Sequence, residues 1–179
     1  MEYGPRALGH RTILYQTSDP SVNDWLNERL KRTEFMPFAP ATLAEHADEC
    51  YYGLQGAEDP ARFMTITFEC TPRMKAESPA AVHVDGTARP QIVDAETARD
   101  FYSILTAYHQ LTGVPSLINT SFNMHGEPIV CSPGDALRSF RQGSLDYLAI
   151  GNWIVPNPHA AHVSQQPQIA ADSAYQVGS

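Results

Sequence analysis

Residues 114–123, VPSLINTSFN, hold the pattern on which the fold turns. Val114, Leu117 and Ile118 make a short apolar run of the kind that forms a buried strand. The run then turns polar at Asn119, Thr120, Ser121 and Asn123. In layered α/β folds, polar residues at the carboxyl end of a buried strand face the crevice where ligands bind. Amide and hydroxyl groups there can hold phosphate or carbonyl oxygens, or close side-chain turns on their own backbone, and this stretch alone allows both.

Helices and strands are expected to alternate on either side of it. Downstream, Ser132-Pro133 starts a helix carrying Leu137 and Phe140 and closing at Gly143, after which residues 145–155, LDYLAIGNWIV, read as buried strand material. Upstream, Phe101, Ile104, Leu105, Tyr108 and Leu111 fall at helical spacing, with Gly113 at the C-cap. Ser18-Asp19-Pro20 precedes a helix through Val22, Trp25, Leu26 and Leu30 to about Arg32. Pro37 and Pro40 hold residues 36–43 extended, and a short helix is expected over 43–50. The alternation of residues 62–69, RFMTITFE, predicts a strand, and residues 80–94 predict two short extended runs around Asp85-Gly86. The whole is a single α/β domain over 1–155, and the polar, Ala-rich residues 156–179 read as a flexible tail.

A hydrophobic fraction of 42% against 18% charged residues places the chain among ordinary globular proteins. With neither a signal-peptide core at the start nor a membrane-length apolar run, it reads as cytoplasmic. Its net charge of −8 argues against nucleic-acid and anionic-membrane partners. The charge is uneven. Residues 1–32 hold five cations (Arg6, Arg11, Arg29, Lys31, Arg32) against four acids, so they carry +1 and the rest −9. A small anion could be gripped there, although Arg29, Lys31 and Arg32 could equally dress a helix end. Arg89, just after the Asp85-Gly86 turn, could pair with Asp85 or aim its fork at a phosphate or carboxylate. His83 reads as a satisfied polar group. Cys50, Cys70 and Cys131 suggest neither a disulfide framework nor a zinc site, and the histidines show no metal-ligand spacing. The P-loop, Rossmann, HExxH and GxSxG patterns are absent from the sequence.

Five ordered segments, EYGPRALGHR (2–11), PFAPATLAEHADE (37–49), HVDGTARPQ (83–91), TGVPSLINTSFNMHGEPIV (112–130) and SPGDALRSF (132–140), together resemble the C-terminal region of the O-carbamoyltransferases of nodulation and antibiotic tailoring. The resemblance implies a YrdC-like twisted mixed sheet flanked by helices. It implies binding of ATP and carbamoyl phosphate, with Mg²⁺, and formation of a carbamoyl-adenylate. A Kae1-like N-terminal domain or subunit, outside this chain, would hold the metal and pass the carbamoyl group to a substrate hydroxyl. By motif position, Arg6, Arg11, Lys31 or Arg32, Arg89, Asn119 and Ser121 would bind the ligands, and Arg89, Asn119 and Ser121 would act in catalysis. The two ligands bring about six negative charges into one pocket, whose chemistry is positioning and charge stabilisation. One departure is Met36, where the family pattern has an arginine; a lost charged hydrogen bond there would weaken phosphate binding by ~1–3 kcal/mol. The alternative reading is a non-catalytic nucleotide-binding or scaffold fragment that pairs with a Kae1-like partner.

Overall fold

The computed structural model describes residues 6–32 and 37–159. Met36 and nearly all of the expected tail lie outside them. Four strands form the central sheet in the order β1 (Thr12–Tyr15), β6 (Ser116–Ser121), β2 (Ala39–Leu43), β5 (Gln91–Val93). The β1–β6 and β6–β2 pairs are antiparallel and β2–β5 is parallel, so the sheet is mixed. Successive strand residues face opposite sides, and β6 divides its apolar residues accordingly. Ile118 joins Ile13, Phe38, Phe122, Leu26 of α1 (Val22–Arg29) and Phe140 of α6 (Pro133–Gln142). Leu117 joins Ala41, Leu43, Val93 and the Phe101 and Leu105 side chains of α5 (Arg99–Thr112). Helices therefore cover both faces, and the expected mixed sheet flanked by helices is what the chain forms.

Two helices start and stop where the sequence signals place them. Ser132 and Asp135 form a reciprocal capping box at the start of α6, and Gly113 ends α5 at φ +76°. The helix α1 is shorter than expected and ends at Arg29, because Lys31 adopts φ +56°. A 3-10 turn over Ala44–His46 and α2 (Ala47–Cys50) supply the short helix after β2.

Three expectations are corrected. Residues 62–69 are not a continuous strand: α3 (Glu58–Ala61) runs into a turn, Met64 takes φ +54°, and the Thr65 hydroxyl donates to the Pro60 carbonyl. That turn supplies its own hydrogen bonds and leaves only β3 (Phe68–Glu69) extended. The first of the two runs in 80–94 begins in a 3-10 turn over Pro79–Ala81, after α4 (Pro72–Glu77); β4 (Thr87–Ala88) instead pairs with β3. The 145–155 segment forms a hairpin of β7 (Tyr147–Ile150) and β8 (Trp153–Pro156) outside the main sheet, with Trp153 and Ile154 three-quarters exposed. Among the described residues, no helix is long and apolar enough to cross a membrane.

The β2–β5 ladder stops abruptly. Ala41 pairs with Gln91, and the preceding residue on each strand is a buried proline, Pro40 or Pro90. Leu43 donates to the Pro115 carbonyl beside β6, so by alternation Thr42 and Pro40 face β5, and Pro40 has no N–H with which to continue the ladder.

Candidate active site

Beside that ladder end, at the polar end of β6, lies a crevice of about 490 Å³. Its walls include Arg6, Arg32, Arg89, Asn119, Thr120 and Ser121, with Phe38, Met64, Thr67 and His83. Five of the expected site residues are thus brought together from four separate segments. Arg11 and Lys31 are not among them. Arg11 donates to the Val130 carbonyl, and Lys31 is exposed beyond the end of α1. Of the two candidates in the Lys31-Arg32 pair, Arg32 faces the crevice.

Arg32 and Arg89 reach the crevice by local causes. Arg32 is half-buried, its guanidinium stacks 4.7 Å from the Phe38 ring centroid, and Nη2 donates to the Thr120 hydroxyl at 3.0 Å. Burial lowers its pKa, and the guanidinium stays charged all the same. Arg89 leaves the tight turn free of Asp85. The Asp85 carboxylate instead accepts from the Thr87 N–H (3.0 Å) and hydroxyl (2.7 Å), closing the turn on itself. Burial lowers the Arg89 pKa first, and the neighbouring positive charge of Arg6 lowers it further. Among the described residues, Arg6, Arg32 and Arg89 have no acidic partner.

Asn119 occupies the base of the site, 1% exposed, and its amide is already committed. Nδ2 donates to the Ala7 carbonyl (2.9 Å) and to Gln91 Oε1 (2.5 Å), while Oδ1 accepts from the Thr12 hydroxyl (2.7 Å). It therefore ties the segment carrying Arg6 to β6 and β5. The Ser121 side chain stays half-buried at the strand end and lines the crevice.

His83, read from sequence as a satisfied polar group, does contact Thr87 through Nδ1 at 3.0 Å, yet it also lines the crevice. Burial lowers its pKa. Thr120, Thr67, Phe38 and Met64 also line it; only the place of Thr120 in NTSFN and of Phe38 in PFAP signalled them. The lining holds three guanidiniums and, among the described residues, no carboxylate, so its donor set fits an anion and not a bare cation. No cluster of three metal-ligating side chains occurs among the described residues. Cys50 and Cys70 are buried, and burial pushes the Cys50 thiol up to about 12.

The family model for the carbamoyltransferase C-terminus matches residues 1–157. The chain belongs to this family. It is 39% identical over 155 residues to the protein MJ1051 of Methanocaldococcus jannaschii, covering 87% of this chain and 29% of that protein. It is 37% identical to nodulation protein NolO of Bradyrhizobium diazoefficiens over 155 residues, 86% of this chain and 28% of NolO. Nodulation protein U of Rhizobium tropici is 37% identical over 147 residues, 82% of this chain and 24% of that protein. The chain thus spans about a quarter of the length of these relatives. Among solved structures, full-length HypF in its phosphate- and nucleotide-bound form aligns with a TM-score of 0.52 at 17% identity, covering 73% of this chain and 16% of HypF. That likeness bears on the fold, and it agrees with a YrdC-like mixed sheet.

Proposed function

We propose that this carbamoyltransferase C-terminal domain binds ATP and carbamoyl phosphate in the β6 crevice and joins them into a carbamoyl-adenylate. The observation that carries the reading is the convergence of Arg6, Arg32 and Arg89 on one crevice with no acidic partner among the described residues. Like charges held together in a partly desolvated place repel one another, and an anion is what reverses that cost. The phosphate and nucleotide held by HypF are ligands of this chemistry.

In the proposed sequence, water cleaves carbamoyl phosphate to phosphate and carbamate. A carbamate oxygen then attacks the α-phosphorus of ATP, the bond to the β-phosphate oxygen breaks, and pyrophosphate leaves with that electron pair. The arginine forks stabilise the negative charge spread over phosphoryl oxygens in both steps. The Ser121 hydroxyl orients the carbamate, and Asn119 acts on it through the backbone it holds in place. ATP would enter with its Mg²⁺, which would offset the charge of the triphosphate. Transfer to a hydroxyl acceptor belongs to a Kae1-like domain or subunit outside these residues.

The test is pyrophosphate release by the purified chain with ATP, Mg²⁺ and carbamoyl phosphate. Release that requires carbamoyl phosphate and is lost in Arg89→Ala supports the proposal. A folded chain that binds ATP and releases no pyrophosphate overturns it in favour of a non-catalytic nucleotide-binding piece.

A further inference from the structure

A second cavity, of about 800 Å³, lies away from the arginines, between β1 and the β7–β8 hairpin. Its lining includes every residue from Thr12 to Gln16 and every residue from Leu145 to Ala149. Neighbouring residues of a strand point to opposite faces, so a cavity that touches all of them meets the strand's edge and not one of its faces. Both edges are open. Among the described residues β1 pairs only with β6, and β7 only with β8. Two strand edges with unpaired backbone groups thus confront each other across an apolar space, an arrangement that natural sheets otherwise cover or blunt.

The structure points to a missing strand, and we propose that this space receives an extended segment of the polypeptide that precedes this domain in its longer relatives, joining the four-stranded sheet and the hairpin into one. This goes beyond the ligand reading and does not depend on it. Two observations select the occupant. The walls are apolar, with Ile13, Phe122, Leu148 and Ile154, and the hairpin leaves Trp153 and Ile154 mostly exposed, as expected of a surface built to be covered. The family model is that of a C-terminus, about three quarters of each relative lies outside the match, and Arg6 stands one short connection ahead of Thr12. From Arg6 the chain runs through His10, which lines this space, into β1, whose free edge suits the pairing used in strand-addition complexes.

The experiment uses the ¹⁵N-labelled chain and overlapping peptides of about twelve residues, enough for one strand and its flanks, drawn from the NolO sequence that precedes the matched region. Amide exchange is read at Thr12–Tyr15 and Tyr147–Ile150. One contiguous stretch of NolO is expected to slow exchange at least about tenfold at amides of both strands, and backbone N-methylation of that peptide at alternate residues to abolish the effect. Protection of one strand only, or of neither by any peptide, overturns the proposal. So does protection already present without peptide: where it grows with protein concentration the occupant is a second copy, and where it vanishes on deleting residues 160–179 the occupant is the C-terminal segment.

Discussion

Replacing Asn119 tests how the crevice is held together. In Asn119→Ala the Ala7 carbonyl and Gln91 Oε1 lose their donor inside a site 1% exposed, while the Thr12 hydroxyl, only partly buried, can turn to water. A buried polar group left unpaired costs ~1–3 kcal/mol, so two of them predict a loss of about 2–5 kcal/mol, allowing for relaxation. At ~2–4 °C per kcal/mol for a domain of this size, melting falls by about 4–20 °C. Urea unfolding monitored by circular dichroism should show a lower midpoint at unchanged m-value. Asn119→Asp keeps the shape and removes the donors: Gln91 can turn its own amide toward the new carboxylate, whereas the Ala7 carbonyl cannot. Burial against an acceptor raises the folded-state pKa of that carboxyl above its unfolded value, so the ionised form is the destabilising one. The deficit of Asn119→Asp relative to wild type therefore shrinks as pH falls through the raised pKa. An Asn119→Ala protein within 0.5 kcal/mol of wild type, a margin typical of surface substitutions, would refute the claim that this side chain ties Arg6 to the sheet.

Three other outcomes are expected. Arg89→Ala should leave the ligand-free melting temperature unchanged or raised, because it relieves like-charge crowding with Arg6, yet weaken Mg·ATP binding by calorimetry about tenfold or more, the loss of one charged hydrogen bond. Gly9→Ala places a Cβ 2.7 Å from Phe101 Cδ1 at φ +108°, and should lower stability by ~1–3 kcal/mol in a urea titration. Because burial lowers the His83 pKa, the unfolded chain binds the extra proton first; stability should decline as pH falls from the unfolded pKa through the folded one, and His83→Gln should flatten that slope in melts between about pH 7 and pH 5.

What the sequence revealed depended on how local the governing physics is. The ends of α6 and α5 were legible because a capping box and a left-handed glycine are decided within a few residues. The strand expected over residues 62–69 failed because the alternation of Met64, Ile66 and Phe68 was matched by side chains that do not share a face: Met64 is buried in a turn and Ile66 exposed. The hairpin at 145–155 was found as strand but not as exposed strand, since what packs against a strand is not encoded in its own residues. At the site, resemblance supplied the arginines, and geometry sorted them. Nothing near Arg11 foretold that its guanidinium turns to the Val130 carbonyl, 119 positions along the chain, nor that Asn119 spends its amide on Ala7. Such choices are made by packing after the chain has folded.

Pro40, at the head of the β2–β5 ladder, has a further consequence. Two strands that run parallel into Ala41 and Gln91 would ordinarily go on zipping toward the crevice, sealing it whenever no ligand wedged them apart. Pro40 deprives the β5-facing side of β2 of its donor at the next step, so the ladder cannot go on past Ala41 by that bond. Ala39 and Arg89, the residues just beyond, are left to face the crevice instead of each other's backbone. The opening is thereby written into the covalent chain, and a ligand that enters finds the walls standing where folding left them.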